Sequence, residues 1–384
     1  MVRGRTIGLG SPRETGKKMK IDLDNLDDFI RGAAFLGTGG GGDPYVGRLM
    51  LSQVLQDGKT VEIIDPQELE DDALAVNILT MGAPTVINEK IPSGPANVAS
   101  LRRMEQELGR KVDYVMPIEA GGVNATIPLV VGALAGLPIV DADGMGRAFP
   151  ELQMTTFNVE GLSSSPNIIA DDKETVVSIT TLSNLDAERY CRDVCVRMGG
   201  AGQMVCYPMS GAQVRSHAVL NTITLAVKIG ETIRLSRKNG RDVFDALIAF
   251  LTSPEVGRQA GVLFDGKVLD LVRETKGGFS VGNVVIGALN GAEQTLRITF
   301  QNEYLLAEID GRPVGMVPDL LCIVDRETGE PITTENLKYG QRVKLIGISS
   351  PEGMRSDRAL SIFGPAGFGL DVPYTAIEEI GAWA

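Results

Sequence analysis

The stretch LGTGGGGDP, residues 36–44, decides how the N-terminal part of the chain folds. Its four consecutive glycines cost conformational entropy, so a chain keeps them where the backbone needs a left-handed conformation or approaches another group closely. Apolar residues recur at helical spacing before the glycines, and Asp43 and Pro44 suit the N-cap and first turn of a second helix. The stretch therefore predicts a loop that presents free N–H groups at a helix N-terminus.

Such a loop binds anions or developing negative charge. The ligand-contacting residues on this interpretation are Gly39, Gly40, Gly41, Gly42 and Asp43. The alternative is a tight helix–helix turn without a ligand. A P-loop is disfavoured because its Gly-Lys-Ser/Thr is lacking, and the glycines follow a helix rather than a strand, so a dinucleotide fingerprint lacks its context.

Length and composition indicate a globular protein of two domains. The chain has 384 residues, of which 43% are hydrophobic and 22% charged. A net charge of −12 argues against a nucleic-acid or anionic-membrane partner. Four sparse cysteines and the lack of a long apolar run favour a reduced, cytoplasmic protein outside the membrane. Residues 1–18 carry basic residues and no apolar core, and we interpret them as a disordered leader.

The pattern predicts an α/β domain over residues 19–165 and a mixed domain over residues 166–384. In the first, strands at 60–64, 75–81, 112–116 and 138–140 alternate with helices at 95–108 and 124–135, which is typical of a largely parallel sheet. In the second, helices at 213–233 and 242–251 precede short strands with glycine turns. That pattern predicts a small antiparallel β-barrel, or a sandwich, with associated helices.

Acidic residues follow two of the predicted parallel strands. Glu119 comes after the third strand, and Asp141 and Asp143 come after the fourth. Because ligands of parallel sheets bind beyond the carboxyl ends of the strands, these side chains could converge on one cleft. Paired carboxylates can divide acid and base roles or hold a divalent cation. Arg147 would balance their charge or hold an anionic substrate group, and the alternative for the two aspartates is turn chemistry.

The histidine and cysteines carry weaker predictions. His217 is the only histidine, which excludes a histidine-rich zinc site, and its helical, apolar neighbourhood favours a structural role. Cys191 and Cys195 are four residues apart and so share a helical face, where we expect buried packing. A nucleophilic Cys206 assisted by His217 is an alternative of a different class.

Four stretches together resemble the S-methyl-thiohydantoin desulfurase family, long a domain of unknown function found beside hydantoinase/oxoprolinase genes. The stretches are FLGTGGGGDP (35–44), EAGGVN (119–124), DADGMGRAFPE (141–151) and GPAGFG (364–369). The resemblance covers residues 19–380. It implies an N-terminal α/β domain, a C-terminal domain with a β-barrel, and hydrolysis of a five-membered cyclic ureide. In the named activity water replaces a methylthio group, leaving a hydantoin and methanethiol.

On this resemblance the chemistry is assigned by position. A carboxylate from Glu119, Asp141 or Asp143 would be the general base, and the glycine loop would supply N–H donors together with Asn124. Arg147 would grip a substrate carboxylate. We expect no cofactor, with a divalent metal held by the carboxylates left open. The alternative function is a non-catalytic subunit that binds a small anion or docks a hydantoinase or oxoprolinase, and exposed sheet edges favour a homo-oligomer.

Overall fold

A computed structural model describes residues 19–82, 86, 94–289 and 291–383. The predicted disordered leader, residues 1–18, lies outside these ranges. None of the helices within them combines the length and the apolar character that a membrane crossing requires.

The first half of the chain contains nine strands and six helices within the described residues. In order they are β1 (Met19–Ile21), α1 (Leu26–Leu36), α2 (Pro44–Gln56), β2 (Val61–Ile64), β3 (Leu74–Gly82), α3 (Gly94–Leu108), β4 (Tyr114–Pro117), α4 (Gly122–Ala135), β5 (Ile139–Val140), β6 (Ala142–Asp143), α5 (Thr156–Val159), β7 (Asn167–Ala170), β8 (Val176–Ile179), α6 (Asn184–Arg197) and β9 (Ala201–Ser210).

The second half continues with short helices and then mostly strands. In order they are α7 (Gly211–His217), β10 (Val219–Leu220), α8 (Thr222–Lys238), α9 (Val243–Leu251), β11 (Ala260–Lys276), β12 (Phe279–Ala288), β13 (Thr295–Gln301), β14 (Glu303–Ile309), β15 (Arg312–Met316), β16 (Leu320–Asp325), β17 (Arg342–Ile348), α10 (Asp357–Phe363) and α11 (Ile377–Ile380).

The first sheet has eight strands in the order β1-β2-β5-β4-β3-β9-β7-β8. Its centre, β2-β5-β4-β3, is parallel, as the alternation of strands and helices predicts. The outer strands β1, β9, β7 and β8 pair antiparallel. Strands after residue 165 therefore complete this sheet, and the sheet is mixed rather than uniformly parallel.

The second large sheet has seven antiparallel strands in the order β15-β14-β13-β12-β11-β17-β16. Within the described part of the chain no backbone ladder joins β15 to β16. The predicted small antiparallel barrel, or sandwich, is therefore an open half-barrel, and the prediction of an antiparallel sheet with short turns is confirmed. Its concave core is separate from the core of the first sheet and contains mostly β-branched and aromatic side chains.

The helix predicted over residues 213–233 is divided in two. The chain leaves α7 after His217, forms β10, and starts α8 after Asn221, whose φ is +63°. Strand β10 pairs with β6, which places the segment after β5 against the start of α8. Helices α1 and α8 cross closely at Gly32, where a Cβ would lie only 1.8 Å from the Ala226 carbonyl oxygen. The two parts of the chain are thus packed directly against each other.

Candidate functional site

A cleft lies where the carboxyl ends of β3 and β4 meet the β13–β14 turn of the half-barrel. Its walls come from both parts of the chain. The residues that line it include Gly41, Gly42, Thr80, Met81, Ile118, Glu119, Asn124, Met145, Phe149, Glu151, Glu188, Arg192, Asn302 and Glu303. The predicted position of the ligand site, beyond the parallel strands and beside the glycine loop, therefore coincides with a real cavity.

The glycine loop is shaped by close approach to the half-barrel. A Cβ at Gly39 would lie 2.5 Å from the Tyr304 ring, and one at Gly40 would lie 1.9 Å from Glu303 Oε1. Gly42 has a φ of +81° and meets Val123. Asp43 accepts the Tyr45 N–H at 2.9 Å and so caps α2. The glycines are therefore needed for a close contact between domains, whatever they bind.

The loop directs one N–H at a carboxylate of the protein itself. Gly41 N–H donates to Glu303 Oε1 at 3.2 Å, and Gly40 N–H donates to the Gly37 carbonyl at 2.8 Å. The N–H of Gly42 has no hydrogen-bond partner among the described residues, and Gly42 lines the cleft. One donor of the predicted kind is therefore available there.

Glu119 lies at the end of β4 and lines the cleft while being 3% exposed. Its Oε1 accepts the Asn124 side-chain amide at 2.7 Å, and its Oε2 accepts the Phe149 N–H at 3.2 Å. Asn124 is itself clamped, because its Oδ1 accepts the Thr80 N–H at 2.8 Å. Burial raises the pKa of Glu119 to about 8, against the opposing effect of these hydrogen bonds.

Glu303 is the functional candidate that the sequence reasoning missed. It follows Asn302, whose φ of +58° makes the tight β13–β14 turn, and it is 1% exposed. Its Oε2 has no hydrogen-bond partner among the described residues. Burial raises its pKa well above the ordinary value, and the nearby Glu119 raises it further. The sequence signal is a charged residue at the start of an apolar strand segment, which suggests burial but does not indicate the cleft that it lines.

Asp141 and Asp143 are both fully buried but have different surroundings. Asp141 Oδ1 accepts the N–H groups of Ile223 and Thr224 at 2.9 and 3.0 Å, and its Oδ2 accepts the Thr224 hydroxyl, so it caps α8. Asp143 Oδ2 accepts the N–H groups of Met145 and Gly146 at 2.8 and 2.7 Å.

Neither aspartate lines the cleft. Burial raises the pKa of Asp143 to about 7, and the charge of Asp143 in turn raises the pKa of Glu119. The structure therefore brings Asp143, but not Asp141, into the electrostatic neighbourhood of Glu119.

Arg147 is fully buried behind the cleft rather than in its wall. Its guanidinium donates to the carbonyl oxygens of Ala148, Asp319 and Tyr304 at 3.1, 2.6 and 3.1 Å. It also lies 4.6 Å from the centroid of the Phe149 ring. Desolvation lowers its pKa to about 10. Its positive charge lowers the pKa values of Glu119 and Glu303 and so opposes the increase that burial causes.

The cationic residue that does line the cleft is Arg192 on α6. It forms an ion pair with Glu188 and donates to the Pro150 carbonyl at 3.0 Å. Its guanidinium also lies 4.3 Å from the centroid of the Phe279 ring. Glu151, whose pKa burial raises, lines the same mouth. The cleft is thus lined by the buried carboxyl groups of Glu119 and Glu303. Charges of both signs, from Arg192, Glu188 and Glu151, line it as well.

Other chemistries find less support in the described residues. No three of their His, Cys, Asp and Glu side chains form a group that could hold a metal ion. Cys206 is fully buried, and burial raises the pKa of its thiol well above the ordinary value, which opposes thiolate formation. Cys191 and Cys195 are buried on α6, as their spacing predicts. His217 is half-buried at the end of α7, in a different cleft.

Family models and a solved structure match nearly the whole chain. The family models "S-Me-THD-like, N-terminal domain" and "S-Me-THD-like, C-terminal domain" match residues 24–181 and 182–377. No curated protein matches the sequence. The crystal structure of a protein from Chromobacterium violaceum is similar, with 25% sequence identity and a TM-score of 0.79 over 94% of this chain and 100% of that chain. The resemblance drawn from the four sequence stretches is confirmed.

Proposed function

The chain belongs to the S-Me-THD-like family, and on that premise we propose that it is a hydrolase of a five-membered cyclic ureide. The proposed substrate is an S-methyl-thiohydantoin, in which water displaces the methylthio group. The products are a hydantoin and methanethiol. The observation that carries the proposal is a pair of buried carboxyl groups, Glu119 and Glu303, in the wall of one cleft.

The two carboxyl groups have the electrostatics that acid–base catalysis needs. Burial raises the pKa values of both, and the charge of Glu119 raises the pKa of Glu303 further. Because the charge of Glu119 raises the pKa of Glu303, we infer that the two groups lose their protons one after the other, and between those two steps one is an acid while the other is a base. The chemistry therefore needs no further residue to supply a proton.

In the proposed step, water displaces the methylthio group while the two carboxyl groups move the protons. The ionised carboxylate of the pair takes a proton from water as the water oxygen bonds to the ring carbon that carries sulfur. The neutral carboxyl gives its proton to the adjacent ring nitrogen. The carbon–sulfur bond of the resulting tetrahedral species then breaks, and the sulfur leaves as methanethiol with the proton that the first carboxylate took from water. The proton left on the hydroxyl passes to the second carboxylate as the ring carbonyl forms, which restores the starting protonation of the pair. The pair thereby assists both bond formation and bond cleavage.

The rest of the cleft would position the ring. The N–H of Gly42 is the available donor for charge that develops on a ring carbonyl oxygen or nitrogen. Asn124 holds Glu119 in place through its 2.7 Å hydrogen bond. The role first expected for Arg147, gripping a substrate carboxylate, stays a prediction. In our proposal its charge limits the pKa increase of the two carboxyl groups, and Arg192 is the cation within reach of a substrate.

The direct test is incubation of the purified protein with S-methyl-thiohydantoin propionate, measuring methanethiol with and without EDTA. We expect release by the protein alone and its loss in Glu119→Gln. Release abolished by EDTA would assign a metal to the carboxylates. Release only after a hydantoinase is added would contradict the proposal and favour the partner-subunit alternative. No release under any of these conditions would overturn the assignment of this substrate.

A further inference from the structure

A second cleft shares no lining residue with the first. It lies between the α7–β10–α8 segment, the loop after α9 and the loop after β17. Its apolar wall includes Val219, Leu225, Val256 and Met354. Its polar wall includes His217 and three arginines. The combination of an apolar wall with clustered cations distinguishes this cleft from the acidic one.

Two of the three arginines already have carboxylate partners. Arg215 pairs with Asp71 and donates to the Leu69 carbonyl. Arg355 pairs with Asp319 at 2.6 Å and with Glu378, so the carboxylate of Glu378 is also neutralised. These two arginines hold the walls of the cleft together and have little charge left for a ligand.

Arg258 differs from both. Its Nη1 donates to the Ser349 carbonyl at 2.8 Å, and no carboxylate in the described ranges lies within ion-pair distance. The loss of solvent and, after it, the neighbouring cation Arg355 lower its pKa to about 10. The charges of Asp319 and Asp143 compensate its charge in part, but neither carboxylate is in hydrogen-bond contact with the guanidinium, which can therefore still take an anionic partner. The two remaining carboxylates of the wall, Glu160 and Glu352, are exposed at its rim.

His217 supplies a second, independent observation. Its imidazole lines the same cleft at the end of α7, half-buried, and has no hydrogen-bond partner among the side chains and backbone groups described. An imidazole N–H is a ready donor to an anionic oxygen. We propose that this cleft is a binding site for a small organic carboxylate, with the carboxylate on Arg258 and His217 and an apolar body against Val219 and Val256.

A carboxylate fits this site better than a spherical anion does. The guanidinium presents a planar fork that matches the two oxygens of a carboxylate. The apolar side chains beside it add the burial of a hydrocarbon body to the binding energy. The proposal concerns binding alone and does not rest on the proposed hydrolase activity, so either can fail without the other.

The only histidine of the chain provides the test. Protein free of any histidine tag and labelled with ¹³C at histidine Cε1 gives a single imidazole signal, from His217. We expect 3-phenylpropionate, added at constant pH, to shift this signal saturably at concentrations up to about 10 mM. The neutral analogue 3-phenylpropanol should bind at least about tenfold more weakly, because the charge-assisted hydrogen bonds are lost.

Variants decide whether Arg258 is responsible. Arg258→Gln should weaken binding at least about tenfold, whereas Arg312→Gln, on an exposed position of β15, should leave the titration unchanged. Should Arg258→Gln fail to fold, Arg258→Lys retains the charge without the fork and should weaken binding less. A histidine signal that does not respond to 3-phenylpropionate, or that responds equally in wild type and in the folded Arg258 variants, would overturn the proposal.

Discussion

Glu119 and Asp141 occupy equivalent places in the fold and have different environments. Each follows a central parallel strand, and each is at most 3% exposed. Asp141 receives two backbone N–H groups and a hydroxyl from the start of α8, so its charge is compensated by a helix N-terminus. Glu119 lines the cleft and has a raised pKa. Position on the sheet edge alone therefore does not separate the two carboxylates, whereas their hydrogen-bond partners and access to the cleft do.

The largest effect should come from Glu119→Gln. The amide has the shape of the acid but cannot exchange a proton, so methanethiol release should fall at least about 100-fold while the fold is kept. Asp141→Asn is the matched comparison and should keep most of its turnover in the folded protein. Single-turnover assays, with circular dichroism to check folding, measure both. If Glu119→Gln and Glu303→Gln both kept full turnover with intact folds, the carboxylate mechanism would be wrong.

The second prediction concerns pH and stability. Burial raises the pKa of Glu119 from 4.5 to about 8, so the folded protein holds a proton that the unfolded chain has lost above pH 4.5. The resulting stability is fully present below pH 4.5 and is lost as the pH rises towards about 8. Wild type should therefore lose free energy of unfolding relative to Glu119→Gln over this range, by up to about 1.4 kcal/mol per pH unit.

Urea denaturation of both proteins at about pH 5, 6, 7 and 8 measures this difference. Glu352→Gln, which removes an exposed carboxylate, controls for the loss of one negative charge. Parallel stability curves for wild type and Glu119→Gln would show that Glu119 is ionised in the folded protein, which would remove its role as a proton donor.

The third prediction separates the glycine loop's structural role from its ligand role. In Gly40→Ala the new Cβ would lie 1.9 Å from Glu303 Oε1, so the carboxylate must move. We expect a loss of about 1–3 kcal/mol in the free energy of unfolding, together with reduced turnover. Gly58→Ala has open space around its Cβ but a φ of +79°, and should lose about 1 kcal/mol with unchanged turnover. Equal turnover in both variants would contradict a catalytic role for Glu303.

The sequence predicts the glycine loop, the central parallel strands and Glu119 because each depends on local pattern. Strand order places Glu119 on the rim, and the cap at Asp43 follows from residue type alone. Glu303 and Arg192 reach the cleft from segments that are distant in sequence from Glu119, through packing between the two parts of the chain. That packing is set by contacts such as Gly40 against Glu303, which no periodicity in the sequence reveals.

The dependence on long-range pairing also explains two differences between the predicted and the observed fold. Residues 213–233 have helical spacing throughout, yet the chain turns at Asn221 because β10 pairs with β6. The barrel is open because closure depends on a ladder between β15 and β16 that strand patterns do not specify. Long-range pairing therefore overrides local propensity at both places.

The smallest effect should come from Asp141→Ala, and it completes the comparison with Glu119. Removing the side chain takes a charged acceptor from the N–H groups of Ile223 and Thr224, which are otherwise buried or half-buried at the start of α8. Loss of such a cap costs about 1–2 kcal/mol, which urea denaturation should detect, with turnover of the folded protein retained. Glu119→Gln should instead lose turnover while the protein stays folded. This contrast between the two variants would assign the two carboxylates different roles. If Asp141→Ala abolished turnover in a stably folded protein, the hydrogen-bond argument that separates the two residues would fail.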